Sequence, residues 1–381
     1  MNFLELYMDY AKNSEVMPSF HFWTGLTILG ASLQRNVLYG RGYYTLYPNL
    51  WTLIVAGSGT KKTTAVQIGY NLLSKLEHVR LLPDKGSPEG LAEALSEAGP
   101  DGEKNAQGML YAPELANFMD RRQHNDGLVQ FLLRISDCPD SWKYRTRGGG
   151  IVTLNNTAVT FLGASANDLL YECIPPLALK SGFLARFICV TEEGEAPIFP
   201  FPWKDPSLES QVLSQLYELS LLKGEMIMGS KAQEWFISWY FRYKADMTKY
   251  SSSKLRAYWQ RKPDHLLRVA MLLSIAETAR LEYTIDSFEK AIKALDGLEP
   301  ELGKLYNEID ATTVGRDQLK LLEEIKRAGG SITHETLLHR IHATMSDSLN
   351  FKKCMIVLIE SGKVVLRKEE GTVVYKLKKG G

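Results

Sequence analysis

Phe3, Leu6, Tyr7 and Tyr10 recur at helical spacing near the start of the chain, and a second apolar helical run covers residues 22–33. Residues 43–49 bring in aromatic side chains and Pro48. The pattern then switches to a short continuous apolar run over 50–56, with the length and β-branched content of a buried strand. Glycines punctuate 57–62, and a helix is expected over 63–76. Further strands are expected at 79–82, 109–112, 158–163 and 187–190. Between them, Ser87-Pro88-Glu89 opens a helix with a side-chain cap and a proline in its first turn, and residues 115–120 start another. Strands alternating with helices predict a parallel sheet covered on both faces.

After residue 203 the strand pattern vanishes. Trp235, Trp239 and Tyr240, then Leu266, Leu267, Ala270 and Met271, mark amphipathic helical faces. The last stretch reads as three helices (319–327, 333–342, 347–361) followed by two strands (364–367, 373–377) joined through Glu369-Glu370-Gly371, which is a winged-helix pattern. The expected fold class is thus α/β: a helical N-terminal segment (1–50), a parallel-sheet core (51–203), a helical subdomain (204–312) and a C-terminal winged-helix domain (313–381).

Ala56-Gly57-Ser58-Gly59-Thr60-Lys61-Lys62-Thr63-Thr64 lies between a predicted strand and a predicted helix, the context in which a phosphate-binding loop works. Such a loop turns its backbone N–H groups toward phosphate oxygens, and the helix N-terminus adds partial positive charge. Gly57 to Thr64 are the expected nucleotide-binding residues. Lys62 reaches the β- and γ-phosphates and the Thr63 hydroxyl holds Mg²⁺. Ala56 and Lys61 stand where the usual pattern has glycine. A left-handed backbone at Lys61 is strained, although its ammonium adds a second cation beside the phosphates.

Hydrolysis of ATP needs a carboxylate to order water or to complete the magnesium shell. The strand ending in Ala112-Pro113-Glu114 offers Glu114 as the base, with proline in the place of an aspartate. A plain helix-terminal glutamate is the alternative. The next strand runs into Ala164-Ser165-Ala166-Asn167. Ser165 and Asn167 both qualify to contact a γ-phosphate, and a helix N-cap role is open to either. Arg186, just before the last core strand, sits where ring-forming ATPases place the arginine that enters a neighbour's site. An arginine paired with a local acid is the competing reading.

Charge changes the picture in one respect: the net charge is +1, so nucleic-acid binding must rest on local surfaces rather than on a global basic field. No apolar run reaches the roughly 18–20 residues of a membrane span, and residues 1–12 do not resemble a secretory signal. Cys138, Cys173, Cys189 and Cys354 show no CxxC spacing, which fits buried thiols in a reducing cytoplasm rather than zinc or disulfides.

Residues 21–190 resemble the P-loop domain of phage- and plasmid-encoded primase-helicase proteins. The resemblance rests on Tyr47-Pro48-Asn49-Leu50, Lys62-Thr63-Thr64, Ser87-Pro88-Glu89-Gly90-Leu91, Pro113-Glu114-Leu115 and Gly182-Phe183-Leu184-Ala185-Arg186-Phe187. Arg261-Lys262-Pro263-Asp264-His265-Leu266-Leu267 extends it to about two-thirds of the chain. It implies an AAA+/RecA-type P-loop NTPase fold, ATP hydrolysis with Mg²⁺, and assembly into a homo-hexamer. Members often carry a primase module upstream, and here priming or polymerisation is expected from a separate polypeptide.

Two stretches are the expected DNA contacts, single-stranded or duplex. In residues 140–150, Trp142 and Tyr144 offer rings for base stacking, Lys143, Arg145 and Arg147 offer cations, and glycines offer a mobile loop. In the winged helix the second helix of the motif enters the major groove; it is either 333–342 or 347–361, and the latter carries Lys352 and Lys353. Arg367 and Lys368 lie on the wing, beside Lys363, Lys376, Lys378 and Lys379. His334, His339 and His342 read as exposed helix histidines rather than a metal site. A DNA-dependent ATPase of the replicative-helicase type is the leading expectation. The alternative is a nucleotide-switched, non-motor DNA-binding initiator, loader or scaffold.

Overall fold

In the computed structural model, which describes the chain apart from residues 85, 101, 120–125, 147–149, 175–177, 179–180, 193, 195, 248–254, 342–347, 370–371 and 379–381, Asn2 opens α1 (Phe3–Ala11). Its side chain accepts from the Glu5 N–H while the Glu5 carboxylate accepts from the Asn2 N–H, a reciprocal cap. Next comes α2 (Pro18–Leu33), apolar all round and buried nearly all round, as a helix enclosed by its own protein must be. Two short strands, β1 (Val37–Gly40) and β2 (Thr45–Leu46), pair antiparallel before the core begins.

The apolar run after Leu50 forms β3 (Trp51–Ala56), buried at every residue. It leads through the loop 57–61 into α3 (Lys62–Leu73). There follow β4 (Leu81–Leu82), α4 (Pro88–Ser96), β5 (Gln107–Ala112), α5 (Leu115–Phe118) and α6 (Asp126–Ser136). The hairpin β6 (Ser141–Thr146) and β7 (Gly150–Asn155) precedes β8 (Ala158–Ala166), α7 (Asn167–Cys173) and β9 (Ile188–Thr191). Ser87 caps α4 as expected, its hydroxyl accepting from the Gly90 N–H at 3.2 Å.

Among the described residues β4, β5, β8, β3 and β9 form one five-stranded sheet in that order, parallel throughout. Ile54, Ala56, Leu162, Ala164, Ile188 and Val190 join the side chains of α1, α2 and α3 in one core. Phe161 meets Trp51, Phe118 and Phe187 at ring separations of 5.0–5.6 Å. The strands are continuously apolar because both faces are covered.

Beyond β9 lie α8 (Pro206–Ser220), α9 (Ser230–Met247), α10 (Arg256–Thr278) and α11 (Ile285–Asp296). Three two-residue strands, β10 (Gly224–Glu225), β11 (Ile227–Met228) and β12 (Glu282–Tyr283), correct the strand-free expectation for 204–312. β10 pairs with β1 and β11 with β12. Bridges this short leave no periodic trace in sequence. The residues Met1–Leu305 form one compact unit, in which the N-terminal helices, the sheet and these later helices share a core.

The second unit, Tyr306–Gly381, takes in the later part of α12 (Glu299–Arg327), then β13 (Ser331–Thr333), α13 (His334–Ile341), α14 (Ser348–Glu360), β14 (Val364–Glu369) and β15 (Thr372–Leu377). The antiparallel sheet runs β13-β15-β14. The start of the helix expected at 333 is therefore a third strand, with the helix beginning at His334. Leu321, Ile325, Leu337, Phe351, Leu358 and Tyr375 fill its core. Among the described residues no helix is long and apolar enough to cross a membrane.

α2 lies so close to the chain before β3 that a Cβ on Gly30 would stand 2.2 Å from the Pro48 carbonyl oxygen. Alanine there gains about 1 kcal/mol of helix propensity but must displace backbone. Gly30→Ala is expected to destabilise the protein by about 1–3 kcal/mol, seen as a lowered urea midpoint. An unchanged or raised midpoint would show that α2 is not held against this backbone.

Candidate functional site

In an open parallel sheet, ligands bind beyond the carboxyl ends of the strands where successive crossovers diverge. The crossover after β3 runs past β8 and β5 to β4, whereas the one after β8 runs the other way, across β3, to β9. That divergence places the candidate site at the ends of β3 and β8, which finish in register at Ala56 and Ala166.

The loop after β3 is shaped by two left-handed residues, Gly59 at φ +87° and Lys61 at φ +55°. Lys61 is the N-cap position of α3, and no side chain caps that helix, so its first N–H groups are available to an anion. A left-handed non-glycine residue costs about 1–2 kcal/mol. An ion pair with Glu15, itself left-handed at φ +57°, holds it there. The other Glu15 oxygen accepts from the Phe199 N–H at 3.0 Å. Its hydrogen bond from Lys61, with that from Phe199, keeps the Glu15 carboxyl below the ordinary range. Sequence reading missed Glu15, which lies 46 positions from Lys61 and belongs to no motif.

Gly57, Ser58 and Gly59 are exposed, and the half-buried Thr60 donates its hydroxyl to the Gly57 carbonyl at 2.9 Å. Lys62 is 7% exposed and its ammonium donates to the same carbonyl at 3.2 Å, folding back over the loop. Thr63 is half-buried and Thr64 exposed in the first turn of α3.

Two neighbouring strands bring carboxylates to the same edge. Ala112 at the end of β5 pairs with Gly163, and Glu114 follows two residues later, half-buried and without an ion-pair partner among the described residues. Asp84, exposed just after β4, is a second carboxylate on this edge that sequence reading passed over. Strand-end position is the signal that could have found it. Beside it, Tyr111 donates its hydroxyl to the Gln67 side-chain oxygen at 2.7 Å and stacks on Tyr70 at 4.2 Å. Ser165 is fully buried, with its hydroxyl on the Ala166 carbonyl at 3.1 Å, whereas Asn167 stands half-buried in the first turn of α7. The cap of α7 is Ala166, so neither Ser165 nor Asn167 plays that part.

Arg186 lies at the opposite, amino edge of the sheet, two residues before β9, and is not brought together with Lys62 or Glu114 within one chain. It is tied down there. Its guanidinium spans both Asp137 oxygens at 3.1 and 3.2 Å and donates to Ser136 Oγ at 2.6 Å. Behind it, His265 of α10 is buried, and its Nε2–H donates to the Ala185 carbonyl at 2.9 Å.

Residues 141–146 and 150–155 pair as two antiparallel strands, whereas the sequence predicts a mobile loop over 140–150, of which 147–149 lie outside the described residues. Trp142 and Tyr144, both half-buried, pack on Phe131, each at 5.2 Å between ring centres. The alternation of a strand leaves Lys143 and Arg145 exposed on the other face. Arg147 lies outside the described residues. In the second unit Lys352 and Lys353 are exposed on α14, and Arg367 and Lys368 on β14. His334 accepts or donates at Tyr375 Oη, 2.9 Å away; His342, Lys379 and the 370–371 turn lie outside the described residues. All four cysteines are buried, and no group of three potential metal ligands occurs among the described residues. The chain matches no family model and no curated protein.

Burial lowers the His265 imidazole to about 4, against an ordinary value of 6.5. The folded state thus refuses a proton that the unfolded chain takes up below pH 6.5, and stability falls as pH drops from 6.5 toward 4. Between pH 6.5 and 5 this costs about 2 kcal/mol. Urea unfolding at the two pH values should show that loss, and His265→Gln should remove its share of the difference. An equal loss in the variant would mean that His265 is not the group responsible.

Proposed function

We propose that the protein is a DNA-dependent ATPase with a P-loop, AAA+-like core, acting as a ring-forming replicative DNA helicase of the phage or plasmid type. The observation that carries this reading is the exposed loop after β3, with left-handed Gly59 and Lys61 and with Lys62 poised over it, at the point where the crossovers diverge. ATP phosphates would take the place of the Gly57 carbonyl at the Lys62 ammonium and meet the uncapped N-terminus of α3. Thr63 is the residue to hold Mg²⁺, which neutralises phosphate charge when bound. Glu114 orients the attacking water, Asn167 reaches the γ-phosphate, and Ser165 supports that strand end from within the core. In a homo-hexamer Arg186 faces a neighbour's phosphates once it exchanges Asp137 for them.

DNA contact is assigned to the outer face of the hairpin, through Lys143 and Arg145, and to a C-terminal winged helix, through Lys352, Lys353, Arg367 and Lys368. Single strands suit the first surface and duplex the second. Arg186 held on its own Asp137, and Lys61 on Glu15, favour a second reading: a nucleotide-switched initiator, loader or scaffold in which binding rather than turnover releases these ties.

Steady-state ATP hydrolysis with and without single-stranded DNA separates the two. The motor reading expects strong stimulation by DNA, with kcat lowered by about a hundredfold or more in Lys62→Ala and in Glu114→Gln. If Asp84→Asn, rather than Glu114→Gln, abolishes turnover, the base is reassigned. Nucleotide binding without turnover in either condition would replace the motor with the switch.

The basic surface has its own signature. Replacing Lys352 and Lys353 together by alanine is expected to weaken duplex binding on all sequences alike. It should also flatten the dependence of log K on log salt by about two units. An unchanged slope would remove α14 from the interface.

A further inference from the structure

The amino edge of the sheet, away from the loop after β3, holds a cleft of about 490 Å³ lined by Trp51, Tyr44, Asp137, Arg186, Arg261 and Arg268, among others. That is the size of a small-ligand pocket. Three arginines and three aspartates line it, but two of the aspartates are engaged by Arg35 and Arg41 from outside the lining. Asp140 is held by Arg35, Asp264 by Arg41 at 2.7 Å and the Tyr44 hydroxyl at 3.0 Å, and Asp137 by Arg186. Arg261 comes no nearer to Asp137 than 3.8 Å, beyond hydrogen-bond reach. Arg268 donates from Nε to the Tyr47 carbonyl at 3.2 Å and has no carboxylate partner among the described residues. Each guanidinium carries five N–H donors in a planar fork that fits phosphate. Two such forks, in a cleft whose acids are already taken, call for an anion. Burial, with the neighbouring Arg186 charge, lowers the pKa of Arg261, and the nearby Asp137 and Asp264 offset this only in part. At the mouth, the exposed rings of Tyr43 and Tyr44 offer a stacking surface of the kind bases use.

We propose that this cleft is a second nucleotide-phosphate site within a single chain, in which Arg261 and Arg268 hold the phosphate and the tyrosines at the mouth receive the base. The ligand is either a free nucleotide or one nucleotide of a single strand, which share this chemistry. The site shares no residue with the loop after β3, and its test takes ADP bound at that loop, as the proposed function has it, for a reference.

Equilibrium dialysis with labelled ADP, and anisotropy with a labelled twelve-residue oligothymidylate, test it on the full chain. A free-nucleotide site predicts one ADP per chain that survives Lys62→Ala, in addition to any ADP that Lys62 binds in the wild type. In Lys62→Ala that remaining ADP should be weakened about tenfold or more by Arg261→Gln with Arg268→Lys. A strand site predicts one ADP per chain, untouched by the arginine changes, and oligothymidylate binding weakened by them to the same degree. Retention of the Lys62-dependent ADP in the arginine variant shows that it has folded; should it fail that control, the single variant Arg261→Gln carries the same expectations. Arginine changes that move neither probe overturn the proposal. So does a single ADP per chain that needs both Lys62 and Arg261 and binds only at protein concentrations where the chain self-associates. That result would set the arginines against another copy's nucleotide.

Discussion

The five parallel strands must be covered on both faces, and the rest of the larger unit follows from how that is done. On one face α2 lies against β3 and β8, and α3 packs on α2 so closely that a Cβ on Gly69 would stand 2.3 Å from Thr24 Cγ2. With β3 fixed by its buried neighbours and α3 fixed by α2, the loop 57–61 has little freedom. The left-handed turn at Lys61 is the local cost of that closure, and it is met by an acid reaching in from the segment between α1 and α2.

At both edges of the sheet the candidate cations rest on protein partners. Lys61 sits on Glu15, Lys62 on the Gly57 carbonyl and Arg186 on Asp137. In the proposed function, a phosphate must offer each cation more than its present partner does. The carbonyl at Lys62 is the weakest of these partners, since it carries no net charge, while a charge-assisted bond to phosphate is roughly twice as strong as a neutral one. On that proposal Lys62 is the first to change partner. Arg186 has a bidentate carboxylate to give up, which makes its release the demanding step in the proposed assembly.

The two edges of the sheet are also chemically distinct. The carboxyl edge gathers lysines, helix N–H groups and two acids, Glu114 and Asp84. The amino edge gathers arginines and tyrosines around a cleft, with the buried, neutral His265 bracing the turn that carries Arg186. Because every strand of the sheet points the same way, residues that precede a strand and residues that follow one are kept apart in a single chain.

By itself the sequence determined the parts whose cause is local. A buried, largely apolar β3, the Ser87 cap with Pro88 behind it, the glycines at 57 and 59, and α13, α14 and the hairpin strands of the second unit could be read from period, cap and turn chemistry, whereas α12 begins twenty residues before the 319 expected. Tertiary structure decided what each polar side chain faces. Residues 140–150 read as a mobile loop, and only the structure showed that Trp142 and Tyr144 share a strand face packed on Phe131. Nor could spacing reveal that Glu15 meets Lys61 across 46 positions, or that Asp137 meets Arg186 across 49. Backbone preference is set within a few residues, whereas an ion pair or a ring contact is set by where packed elements bring distant residues together.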